Sequence, residues 1–165
     1  MFHDNQAVAV LGERDRWVFA WCVVTPPRSE SQGMGTLTSY LLDTCTFIWL
    51  CSEPARLSAP VVSILRSADA SPVLSDITIL EISLKWSAGK ITLPGPPRHW
   101  IETQATAWSL PFRPIGREDI YRATELPDHH RDPFDRLLVA AAINANATIL
   151  TPDEAVQRYP VSWAW

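Results

Sequence analysis

From residue 39 onward, short apolar runs alternate with longer stretches of helical period, and this alternation restricts the fold more than any other feature of the chain. Tyr40-Leu41-Leu42 is too brief for a helix and reads as part of a buried strand over residues 39–43. Helical patterns follow from Phe47 and over residues 59–68. Residues 72–74 read as a second strand, feeding a helix that starts at Ser75 or Asp76 and runs to about Ser87. Pro94-Gly95-Pro96-Pro97 breaks the chain ahead of a helix at 100–108, which is followed by a strand at 112–115 and a helix at 118–125. Phe134, Leu137, Leu138, Ala141, Ala142 and Ala145 form a one-face helical stripe. Strands at 148–151 and 161–165 end the pattern. Strands separated by helices pair in parallel, so the expected class is α/β: an α/β/α sandwich with a mostly parallel central sheet.

The sequence contains 165 residues, 47% of them hydrophobic, enough to bury a core without disulfides or a structural metal. Residues 1–35 read as an N-terminal extension, an apolar patch at 17–24 followed by a turn-rich linker; residues 36–165 read as one domain. Met34 stands just before that domain, so two readings stay open: a tail, or an over-extended start. Cys22, Cys45 and Cys51 are odd in number and show no metal-ligand spacing, which speaks against a disulfide framework or a zinc site and for a reducing cytoplasm. No apolar stretch reaches the ~18 residues a membrane span needs, so no membrane association is expected. A formal net charge of −4 excludes broad electrostatic capture of nucleic acid, so any such contact must be local.

Acidic residues recur where a parallel sheet forms its ligand sites. Asp43 ends the first strand and Asp153 follows the strand at 148–151, which puts both at one crevice beyond the carboxyl ends of the strands. Asp135 lies in the opening turn of a helix entered through Asp132-Pro133, with Asp132 as the N-cap. Glu81 sits on a helix whose apolar stripe is Ile77, Leu80 and Leu84. It reads either as a site carboxylate at the rim of the core or as a surface pair with Lys85 at i+4. Carboxylates ~5 Å apart repel by roughly 3 kcal/mol per pair at an effective dielectric of about 20, so a cation must offset them. Oxygen ligands without His or Cys select Mg²⁺ or Mn²⁺, ions that activate water against phosphodiesters.

Four segments carry a family resemblance: Tyr-Leu-Leu-Asp-Thr at 40–44, Ile-Leu-Glu-Ile-Ser-Leu-Lys at 79–85, His-Arg-Asp-Pro-Phe-Asp-Arg-Leu-Leu-Val-Ala at 130–140 and Ile-Leu-Thr-Pro-Asp at 149–153. In order and spacing they resemble PIN-domain toxins of the VapC type, with intervals of 38, 54 and 18 residues between successive acids, over residues 39–165. The resemblance implies a PIN-like fold and a Mg²⁺- or Mn²⁺-dependent endoribonuclease, the toxin of a type II toxin–antitoxin system. It further implies an RNA substrate, a homodimer and an antitoxin of the VapB type. Its catalytic and metal-holding residues would be Asp43, Glu81, Asp135 and Asp153, with Asp132 a further candidate ligand. Thr44 resembles the family's hydroxyl that orients the first acid or a water, and reads equally as an ordinary helix cap. Arg131, Arg136 and Lys85 flank the acids and read either as phosphate contacts or as solvated charges. The sequence departs from the family in its N-terminal extension and in Pro152, where a polar or basic residue is common.

Other readings lack parts. Asp128-His129-His130 spells a string of another metal phosphoesterase family whose upstream motifs are missing, so it reads as coincidence in a loop near the site. No Gly-x-Ser-x-Gly, HExxH or P-loop occurs. A receiver-like Mg²⁺-binding module would need an adjacent acidic pair after the first strand, where Asp43 stands alone. A catalytically silent PIN module acting by protein binding is the remaining alternative, and the presence of all four acids speaks against it. Trp86, Trp100 and Trp108 fall at helical positions where burial is expected.

Overall fold

A computed structural model of the chain describes residues 37–165 and the two-residue strand β1 (Trp17–Val18). The rest of the N-terminal extension, the boundary expected at residue 36 and Cys22 lie outside the described residues. The β1 strand pairs in parallel with β4 (Ile91–Thr92) as a small separate sheet.

The main sheet contains β2 (Thr38–Leu42), β3 (Ala70–Ser75), β5 (Phe112–Arg113), β6 (Thr148–Leu150) and β7 (Trp163–Ala164), in spatial order β5-β3-β2-β6-β7 and parallel throughout. Parallel neighbours need crossovers, and helices supply most of them. Helices α1 (Thr44–Ser52) and α2 (Ala59–Arg66) join β2 to β3, while α3 (Asp76–Ser87) and α4 (Pro97–Ala107) join β3 to β5. Helices α5 (Arg117–Glu125) and α6 (Pro133–Ala145) carry the chain back across to β6. From β2 the chain moves one way along the sheet and from β6 the other way. The crevice where a parallel sheet binds ligands therefore opens between β2 and β6.

The strand period of two builds the layers. Leu41 and Ile149, paired in register, pack with Leu138, Val139, Ala141 and Ala142 of α6. Their neighbours Leu42 and Leu150 point the other way, into a core with Phe47 of α1, Val61 of α2 and Trp100 and Ile101 of α4. Thus α1, α2 and α4 cover one face and α6 the other, with α5 packed along α6. The α/β/α class read from the sequence holds. Pro72 is tolerated inside β3 because β5 pairs only with Leu74 and Ser75, leaving one side of β3 without a neighbour at the proline.

Several boundaries differ from expectation for local reasons. Helix α1 begins at Thr44, not Phe47, because its polar first turn carries no hydrophobic period; Thr46 instead anchors it, its Oγ1 donating to the Leu150 carbonyl at 2.6 Å. Helix α4 starts at Pro97, since proline suits the first helical position. In α6 Ala145 is exposed while Val139 and Ala140 are fully buried, so the buried face is broader than the predicted stripe and turned from it. Asn146, with φ 49°, ends that helix in the left-handed region. The largest correction concerns α3. Leu80 and Leu84, expected in the core, are exposed, and Ile77, Thr78, Glu81 and Ile82 form the inner face instead. Of the three Trp expected at buried helical positions, Trp100 is buried, Trp108 is half-buried at the C-cap of α4 and Trp86 is exposed.

Candidate active site

An Asp at a helix N-cap ordinarily accepts a backbone N–H of the first turn. Asp43 stands at that position of α1 and makes no side-chain cap bond. Its Oδ2 accepts the hydroxyl of Thr151 at 2.7 Å, across the gap between the ends of β2 and β6. The same hydroxyl accepts the backbone N–H of Asp153 at 3.1 Å, so one side chain fixes both the first and the fourth acid. Asp153 is further held by its Oδ1, which accepts the N–H groups of Ala155 at 2.6 Å and Val156 at 3.4 Å.

Glu81 reaches the crevice from the inner face of α3. Its Oε2 accepts the Thr44 hydroxyl at 2.5 Å and its Oε1 pairs with Lys85. Both readings of Glu81 thus meet in one residue: the i+4 pair forms, yet the carboxylate is buried at 6% exposure. Thr44 orients the second acid, while Thr151 takes the part expected of Thr44 toward the first.

Asp132 is the N-cap of α6, its Oδ1 accepting the Phe134 N–H at 2.9 Å. Asp135 follows one turn in and faces His130, whose Nε2 lies 3.2 Å from Asp135 Oδ2 and 3.2 Å from Asp153 Oδ2. His130, Asp135 and Asp153 each offer an atom within 4.8 Å of the others, spacing that suits a metal ion. His130 thus stands among the acids, a neighbour that the carboxylate reading did not include. The sequence placed His130 only in a loop near the site; its adjacency to the acids depends on how that loop folds back. Among the described residues Cys45 and Cys51 are not joined to each other.

Arg136, read either as a phosphate contact or as a solvated charge, is engaged within the protein. Its guanidinium donates to the carbonyls of Ala123 (3.2 Å), Leu126 (2.7 Å) and Pro127 (2.8 Å), clasping the end of α5 where carbonyls lack helical partners. Arg131 is exposed and makes no hydrogen bond or ion pair among the described residues.

The electrostatics follow from this crowding. Burial, joined by the charges of Glu81 and Asp153, pushes the Asp43 carboxyl up to about 6, although the Thr151 hydrogen bond works against it. Burial and then the charge of Asp43 raise Asp135 to about 7, with His130 opposing. Burial alone would lower Lys85, but its bond to Glu81 outweighs this and holds the ammonium above its usual range. Burial is the chief cause of both shifts and the neighbouring carboxylates add to it, a crowding that a divalent cation would relieve.

The PIN domain family model matches residues 40–161. No curated protein sequence matches significantly. Among solved structures the chain is similar to VapBC2 from Rickettsia felis bound to a DNA fragment from their promoter, at 15% identity and TM-score 0.59, covering 77% of this chain and 98% of that one. It is similar also to VapBC-5 from Mycobacterium tuberculosis, a member of the VapBC family of toxin–antitoxin systems, at 14% identity and TM-score 0.50, covering 77% and 96%. At such identities the likeness concerns the fold alone. The family match takes in every carboxylate described above and all of the main sheet but the first two residues of β2 and the whole of β7, and the chain belongs to the PIN domain family.

Proposed function

We propose that this chain is a metal-dependent endoribonuclease and the toxin of a type II toxin–antitoxin pair. PIN domains are generally nucleases. The observation that carries the reading is the convergence of acids beyond the ends of β2 and β6, where Thr151 ties Asp43 to Asp153 and His130 stands 3.2 Å from both Asp135 and Asp153. Asp43, Glu81, Asp135 and Asp153 would hold a divalent cation, and the predominance of carboxylate oxygens favours Mg²⁺ or Mn²⁺. Bound there, such an ion supplies an activated water and neutralises charge on the phosphodiester.

The protein's own part is positioning. Thr151 orients Asp43, Thr44 and Lys85 orient Glu81, and the backbone N–H groups of Ala155 and Val156 orient Asp153. Asp132 caps α6 and adds its charge to the field at Asp135. Arg131, exposed beside the site, is the cation free to meet an RNA phosphate. An RNA substrate, a VapB-type antitoxin, a homodimer and a cytoplasmic location complete the reading. The nuclease part is supported by the family match, and the antitoxin part by two structural relatives described as VapBC proteins, one of them as a member of a toxin–antitoxin family. No helix among the described residues is long and apolar enough to cross a membrane.

The test is incubation of the purified chain with a mixed RNA pool, with Mg²⁺, with Mn²⁺ and with chelator. Cleavage with metal alone is expected, and no cleavage under any of these conditions, from chain that binds the ions, would leave only a binding role.

A further inference from the structure

His130 has a second contact that decides what its ring can do. The backbone N–H of Asp132 donates to His130 Nδ1 at 2.9 Å, so Nδ1 is an acceptor and carries no proton. A neutral imidazole has one N–H, which must then be on Nε2, the atom placed 3.2 Å from both Asp135 and Asp153. The loop is rigidly set: the His130 N–H donates to Tyr159 Oη at 2.9 Å, and Tyr159 is buried. Because Asp153 Oδ1 is taken by two backbone N–H groups, Oδ2 is the oxygen turned to the ring.

We propose that His130 is a positioning residue of the site: its Nε2–H is donated to Oδ2 of Asp153 while Oδ2 of Asp135 lies at the same 3.2 Å from the nitrogen, so that the ring sets the third and fourth acids against each other and is not a ligand of the ion. Ligation through Nε2 would move the proton to Nδ1, where the Asp132 N–H already points, and two N–H groups would face one another at the cap of α6. The ion is therefore held by oxygens alone, although the three side chains have the spacing of a His-carboxylate metal centre. The part of this inference that concerns the ion rests on the metal-nuclease reading; the hydrogen-bond bridge does not.

The experiment uses the full chain, wild type and the variants His130→Ala and His130→Gln, since a Gln amide places an N–H donor near the Nε2 position. In chelator, long-range proton–nitrogen NMR should show His130 protonated on Nε2, and His130→Gln should recover most of the melting temperature that His130→Ala loses. With Mg²⁺ the Nε2 proton should stay in place. Calorimetry with Mn²⁺ should show His130→Ala weakened about tenfold or more and His130→Gln within about threefold of wild type, as for groups that orient ligands. A proton shifted to Nδ1 by Mg²⁺, equal losses in both variants, or unchanged Mn²⁺ affinity in His130→Ala would overturn the assignment. If the wild type binds neither ion, the nuclease reading fails and the chelator arm alone decides: an Nδ1 proton, or no rescue by Gln, overturns the bridge.

Discussion

The Thr151 hydroxyl joins Asp43 across the two central strands, 2.7 Å from its Oδ2, and the same oxygen receives the Asp153 N–H. Thr151→Val keeps the shape and removes both bonds. The Asp43 carboxyl, which this hydroxyl holds down, should then rise further, and Mn²⁺ affinity should fall about tenfold by calorimetry, while Thr151→Ser stays close to wild type. Unchanged affinity in the valine variant would remove Thr151 from the site.

Stability should respond to pH in the opposite sense to an ordinary surface carboxylate. The Asp43 carboxyl goes from 3.8 to about 6 in the folded chain, so between those values the folded state binds more protons than the unfolded one. This contribution to stability is full below about 4 and lost as pH rises through about 6, and a folded value of about 7 for Asp135 extends the window upward. In chelator, Asp43→Asn should therefore melt higher than wild type at pH 8, by up to on the order of 3 kcal/mol, with the advantage fading towards pH 4. A variant less stable than wild type at pH 8 would contradict the charge account. The same protons compete with the cation, so Mn²⁺ binding should weaken as pH drops below about 7.

The two arginines of the 130–140 string should separate cleanly. Arg136→Ala leaves the carbonyls at the end of α5 without their donor and should cost about 2 to 3 kcal/mol in a denaturant melt, with cleavage per folded molecule unchanged. Arg131→Ala should leave stability within about 0.5 kcal/mol and weaken RNA binding instead. The reverse pattern would return Arg136 to the RNA surface.

The fold was legible because a parallel α/β sheet writes itself as apolar runs separated by helical period, and Leu41-Leu42 paired with Ile149-Leu150 carries both faces of the sheet in four residues. The cap of α6 was legible for a similar reason: Asp132-Pro133 states its geometry locally, and Asp132 does accept the Phe134 N–H. The inner face of α3 was not legible. Leu80 and Leu84 are the more apolar residues, but Glu81 is drawn inward by Thr44, 37 positions away. The role of Thr151 was missed on the same grounds, and His130 was placed in a loop near the site without its partners. A hydroxyl after a strand and a histidine in a loop acquire a role only from partners that the folded sheet brings together. The bonds of Arg136 were not legible either, since nothing in its string reveals that the end of α5 lies within its reach.

The acids themselves are tested most directly by following cleavage of labelled RNA with wild type, Asp132→Asn and Asp135→Asn side by side, in Mn²⁺ and in chelator. Asn caps a helix about as well as Asp, so Asp132→Asn should stay within roughly 1 kcal/mol of wild-type stability and be only partly slowed. The account predicts cleavage by wild type in Mn²⁺ alone and a loss of at least about a hundredfold in Asp135→Asn, with circular dichroism unchanged. Cleavage that persists in chelator, or a folded Asp135→Asn that cuts RNA at a near-normal rate, would contradict it.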